Sequence, residues 1–170
     1  MAFNLKLSFG PQWESVSIIR NFTAELLSLG IVNRDDAKKA STACSELIEN
    51  VVKYSAAGGT MIDVTKDLGR GKIHLTIKNI ASSKNVETFK TIFEEVTQGD
   101  PKEMYKKMML RSFADPETSQ LGLARIRYEC QGTITYDVED DIQSLSILSE
   151  TSVIQADLKL LSVSVEIPVN

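Results

Sequence analysis

The chain has a single histidine in 170 residues, His74, and it falls in a strand-like run. That scarcity excludes a histidine-built zinc cluster and leaves little material for a histidine-based triad. Cysteine is almost as scarce. Cys44 lies in an apolar helical stretch and Cys130 at a helix end, which reads as two reduced intracellular thiols, not a disulfide framework. No apolar run approaches the roughly 18 residues that a membrane-spanning helix needs. Met1 to Phe9 shows no basic segment followed by an apolar block, so no secretory leader is expected. Basic runs never exceed a pair, and 19 basic against 23 acidic side chains give a net charge of −4; this speaks against nucleic acid as a partner. A cytoplasmic protein that meets no membrane is the expectation left standing.

What is present fits one domain over residues 1–170. Hydrophobic residues make up 42% and charged residues 25%, the balance of a globular chain with a substantial core. Phe3, Leu5, Leu7 and Phe9 alternate with mostly polar neighbours, a half-buried strand closed by Gly10-Pro11. Trp13 to Leu29 carries apolar residues at helical spacing and stops at Gly30. Asn33 or Asp35 can cap a second helix that runs through Ala37, Ala40, Ala43, Leu47 and Val51, ended by Ala56-Ala57-Gly58-Gly59. Strands follow at Thr60 to Thr65 and Lys72 to Lys78, joined by a turn at Asp67-Leu68-Gly69-Arg70-Gly71. Asn79 to Asn85 reads as a polar loop. Helices are expected over Val86 to Val96, Lys102 to Phe113 and Leu121 to Glu129, with a second polar loop at Ala114 to Ser119. Strands close the chain at Thr133 to Val138, Ile142 to Leu148 and within Val153 to Val169. The order β-α-α-β-β-α-α-α-β-β-β implies an α+β fold: a two-layer sandwich, with a mixed, mostly antiparallel sheet and helices on one face.

One stretch organises the chemistry, Cys44-Ser45-Glu46-Leu47-Ile48-Glu49-Asn50-Val51-Val52-Lys53-Tyr54-Ser55. At about 100° per helical residue, Glu46, Asn50, Lys53 and Tyr54 share roughly a quarter to a third of the circumference. Leu47, Ile48, Val51 and Val52 occupy the neighbouring arc. A polar stripe therefore borders a buried face, where a pocket between helix and loop would lie. Asparagine is a poor mid-helix residue, so its place there points to a task for the amide. A carboxamide oxygen beside a carboxylate suits a hydrated Mg²⁺ that also holds phosphate oxygens.

Glu46-x-x-x-Asn50-x-x-Lys53-Tyr54-Ser55 resembles the asparagine box of the histidine-kinase, gyrase and chaperone ATPase superfamily, GHKL, whose fold is the Bergerat fold. The compact form is most similar to cytoplasmic anti-sigma-factor and switch-protein serine/threonine kinases. The resemblance implies ATP and Mg²⁺ as cofactors and a STAS-type or sigma-factor-like regulatory protein as partner. It implies Asn50 as the metal ligand, Glu46 as the general base, Lys53 toward the phosphates and Tyr54 near the nucleotide. Asn79 and Ala81 fall where such proteins carry Asp-x-Gly-x-Gly against adenine; here the run is Asn79-Ile80-Ala81-Ser82-Ser83. Ser119-Gln120-Leu121-Gly122-Leu123 matches the phosphate loop and keeps only Gly122 of its glycines, so Leu121, Gly122 and Leu123 are the expected phosphate contacts. Ser82 to Ser119 would form a lid over the pocket. A homodimer through the N-terminal strand or first helix is compatible with such regulators. Two readings of the family stay open: a nucleotide-dependent kinase or regulator, and a pseudo-ATPase kept as a protein-interaction module. A third, an unrelated α+β binding domain, makes the box a coincidence.

Overall fold

The computed structural model describes residues 3–29, 32–67, 71–114, 120–140 and 157–169. Ten elements run in the order β1 (Phe3–Phe9), α1 (Trp13–Ser28), α2 (Arg34–Tyr54), β2 (Ser55–Asp67), β3 (Lys72–Ser82), α3 (Ser83–Thr97), α4 (Pro101–Ala114), α5 (Leu121–Tyr128), β4 (Thr133–Glu139) and β5 (Leu158–Pro168). The five strands form one sheet in the order β1-β2-β3-β5-β4. All four ladders are antiparallel. The expected strand over Ile142 to Leu148 and the start of the last one lie outside the described residues.

Alternation along β3 shows why the fold has two layers. Ile73, Leu75, Ile77, Asn79 and Ala81 are buried, while Lys72, His74, Thr76 and Lys78 between them are half-exposed. Successive strand residues point to opposite faces, so the first set meets the helices. The second set joins a polar outer face on which Thr76 and Ser164 share a 2.9 Å hydrogen bond and Lys72 pairs with Glu166 at 2.5 Å.

On the helical side, α2 is the central element. Asn33 caps it by accepting the Asp36 N–H at 2.9 Å. Its first half is lined by Ala37, Ala40, Ala43 and Cys44, all buried. These small side chains let α1 approach closely through Ile19, Thr23 and Leu27, with Thr23 Oγ1 3.8 Å from Cys44 Sγ. Burial pushes the Cys44 and Cys130 thiols up to about 12, so both are inert buried hydrophobes, not thiolate nucleophiles.

Two boundaries differ from the reading of the sequence. The strand β2 begins at Ser55, directly after α2, because the backbone at Ser55 and Ala57 pairs irregularly with Ala81 and Ile80. The segment expected as a loop from Asn79 continues β3 to Ser82, since Asn79 to Ser82 pair with Leu158 to Leu161 of β5. The helix α3 then starts without an intervening loop, capped by Ser82 Oγ accepting the Asn85 N–H at 3.2 Å. Polar residues looked like a loop there because the strand that recruits them lies 76 to 82 residues away in sequence, from Ser82↔Leu158 to Asn79↔Leu161.

Candidate functional site

The cleft forms where α3 crosses the sheet beside α2. Leu47, Asn50, Val51 and Tyr54 come from α2, and Ile77, Asn79 and Ala81 from β3. Asn85, Thr88, Phe89 and Ile92 of α3 make the opposite wall, and Gln120, Leu123, Leu161 and Val163 complete it. The N-terminal part of the expected lid therefore does cover the pocket, as the helix α3. Phe89 and Phe93 pack edge-on against Tyr136 of β4, with ring centroids 5.4 and 4.8 Å apart. Asn85 Nδ2 donates to the Tyr54 carbonyl at 2.8 Å, which ties the start of α3 to the end of α2.

In this closed arrangement the cavity leaves about 50 Å³. Pockets for drug-sized ligands run to about 300–1,000 Å³. A nucleotide would enter only if α3 shifted outward.

The polar content of the cleft is mainly neutral amide. Asn79 is 4% exposed and no side-chain hydrogen bond reaches its carboxamide from the described residues. Its amide atoms are not sealed in the core: they open onto the cavity. There they can bond water or the polar edge of a ligand that enters. Asn50, half-buried on the same cleft, likewise has no side-chain hydrogen bond among the described residues.

Five of the residues singled out in the sequence thus meet in one place: Asn50, Tyr54, Asn79, Ala81 and Leu123. The others sit around it. Lys53 is exposed, with Nζ 3.9 Å from Glu49 and 5.9 Å from the centroid of the Trp13 ring, away from the cleft lining. Leu121 is half-buried and packs on the core. Gly122 lies against Glu46, such that an added Cβ would come within 2.8 Å of Glu46 Oε2.

Glu46 does not line the cleft. It is 7% exposed and accepts from Arg125 Nη1. Burial raises its carboxyl above the ordinary glutamate range, and the Arg125 guanidinium draws it part of the way back. Arg125 in turn has Glu129 3.8 Å from Nε, and Tyr105 Oη donates to Glu129 at 2.5 Å. Arg125 is the residue sequence reasoning undervalued: on the helix expected over Leu121 to Glu129 it reads as a solvated flank ahead of a contact to phosphate or an acidic partner, and the structure gives it the acidic partner. A buried acid in α2 was the signal that some cation had to reach it. Arg127, its neighbour on the helix, has a different task. It donates to the Val96 and Gly99 carbonyls at the end of α3.

The amides suit a ligand that offers its own donors and acceptors, as a nucleobase does. A metal fits less fully. Among the described residues no group of three or more His, Cys, Asp or Glu side chains could hold one. Asn50 could supply an oxygen to Mg²⁺ that arrives with phosphates and keeps most of its waters.

No protein-family model matches the chain, and no characterised protein matches it in sequence. In three dimensions it is similar to a chain of the crystal structure of the SiaB–SiaC complex from Pseudomonas aeruginosa. The TM-score is 0.64 at 11% identity, over 98% of this chain and 89% of that one. At that identity the likeness establishes the fold. No described helix is long and apolar enough to cross a membrane.

Proposed function

We propose that the protein is a nucleotide-responsive signalling regulator that acts on a protein partner, in the manner of partner-switching kinases and anti-sigma regulators. The observation that carries this reading is the buried, unpartnered Asn79 carboxamide in the cleft, with Asn50 and Tyr54 on the facing helix. Asn50 and Tyr54 of the asparagine box and Asn79 and Ala81, more than 20 residues further along the chain, line one cavity, which supports the reading. The likeness to a chain of a two-protein complex supports a protein partner for this fold. A STAS-type or sigma-factor-like protein is the partner the asparagine box suggests, with cytoplasmic action and pairing of two copies through β1 or α1 as companion proposals.

In this reading Asn79 reads the base, Asn50 holds Mg²⁺ on the phosphates, and α3 closes over the ligand. Glu46 is the proposed base for transfer to a partner hydroxyl. Phosphoryl transfer asks mainly for positioning and charge neutralisation, and Glu46 would have to leave Arg125 to take part. Titration calorimetry with ATP and Mg²⁺ tests the proposal: saturable binding lost in Asn50→Ala supports it, and no heat at millimolar ATP refutes it.

The small cavity and the neutralised Glu46 favour a second reading, a pseudo-ATPase that keeps the fold as an interaction module. Its mark would be partner binding indifferent to nucleotide.

A further inference from the structure

We infer that Arg125 is a positioning residue that exchanges partners: it holds Glu46 when the cleft is empty and turns to ligand phosphate when nucleotide is bound. The inference rests on the nucleotide reading above and deepens it. Three observations carry it. Glu46 is the buried carboxylate of the α2 stripe, and Arg125 is the cation bonded to it. Neither residue of the pair lines the cleft, but Glu46 lies one helical turn before Asn50, which does, so the pair borders that end of the cavity. Arg125 has a second carboxylate at hand, Glu129, itself steadied by Tyr105.

A guanidinium binds carboxylate and phosphate by the same forked geometry. Phosphate arriving at the α5 end of the cleft therefore competes with Glu46 for the same nitrogen atoms. Glu129, beside Nε, would hold that end of the guanidinium while Nη1 changes partner. Gly122 is what permits the resting pair, since any side chain there would press on Glu46 Oε2. The exchange makes the acid available only after ligand is seated, so an empty site holds its carboxylate out of action. Arg125 acts here through Glu46 and the ligand, and it needs no bond-making role of its own.

Calorimetric affinities for MgATP and for adenosine test this in wild type, Glu46→Gln, Arg125→Met, Arg125→Lys and Glu46→Gln/Arg125→Met, each first checked for a cooperative melt. Removing the internal competitor in Glu46→Gln is expected to tighten MgATP at least fivefold. Arg125→Met is expected to weaken it at least fivefold, the double variant to follow Arg125→Met, and Arg125→Lys to recover part of the loss. Adenosine, which has no phosphate, is expected to bind every variant within twofold. Opposite signs for the two single variants support the exchange, because a merely structural role would weaken both. If MgATP binds wild type and Glu46→Gln leaves its affinity unchanged or lower, the exchange is wrong and the nucleotide reading stands. If wild type binds neither ligand, both fall together. Should either single variant fail to fold, the double variant against wild type still decides: unchanged MgATP affinity there overturns the inference.

Discussion

Two polar groups border the same stretch of α2, and they are treated in opposite ways. Glu46 faces α5, is nearly as buried as Asn79, and is answered by Arg125 from within the chain. Asn79 faces the cleft and is answered by nothing among the described residues. A buried charge without a partner costs several kcal/mol, so folding itself requires a cation beside Glu46. The Asn79 amide opens onto the cavity, where water can meet it at little cost. The comparison teaches where to look for a ligand: beside α2 the charge is answered from within the chain, and the neutral amide is left open to the cavity.

The strongest way to break that contrast is to remove its charged half. Arg125→Met leaves Glu46 buried beside an apolar side chain. Because the Arg125 side chain is 34% exposed, the expected loss is about 2 kcal/mol, below the roughly 3–5 kcal/mol for fully buried pairs. Urea denaturation measures it. The loss should also depend on pH. Burial already raises the folded-state pKa of Glu46, and without Arg125 it rises further. The stability tied to that proton is complete below the unfolded glutamate range and disappears as pH rises through the folded value. Arg125→Met should therefore differ more from wild type at pH 8 than at pH 5; an equal gap at both would show that the pair is not what matters.

Gly122→Ala approaches the same contact from the other helix. The new Cβ would meet Glu46 Oε2 at 2.8 Å, and overpacking of this kind costs typically about 1–3 kcal/mol. Alanine is the better helix former by nearly 1 kcal/mol, so the expected net loss is about 1 kcal/mol. A stabilised Gly122→Ala would mean that the carboxylate has room to move aside.

The neutral half predicts the reverse. Asn79→Leu removes an amide that bonds no other side chain and fills the cleft with apolar atoms, so unfolding stability should stay equal or rise by about 1 kcal/mol. A loss of more than 1 kcal/mol in urea would show that Asn79 is structural after all. The smallest effect is expected on the surface, at Glu95. Hydrogen bonds from Lys107 and Arg111 hold its carboxyl below the ordinary range. That contribution exists above the unfolded carboxylate pKa and is lost as pH falls through the folded one. Glu95→Gln should narrow its gap to wild type in melts run below pH 4, and a constant gap would remove the ion pairs from the account.

How legible this was depended on the range of the forces involved. The helix periodicity of Trp13 to Leu29 and the alternation of Leu161 to Ile167 are local patterns, and both became the elements they implied. The stripe of Glu46, Asn50 and Tyr54 is equally local, so α2 could be drawn in full from one stretch. The extension of β3 through Asn79 to Ser82 was hidden, because those residues are strand only by pairing with Leu158 to Leu161. Lys53 was placed toward phosphate by the resemblance of the asparagine box, while Trp13 and Glu49 draw it to the surface. Arg125 was undervalued because its partner lies 79 residues upstream, and spacing within one helix cannot announce it.

The most direct measurement is a pair of MgATP titrations, on wild type and on Asn79→Leu, with both proteins shown to be folded. The account predicts saturable heat from wild type and its loss in the variant at undiminished stability. Equal binding by the two proteins, or no binding by wild type at millimolar nucleotide, would contradict it.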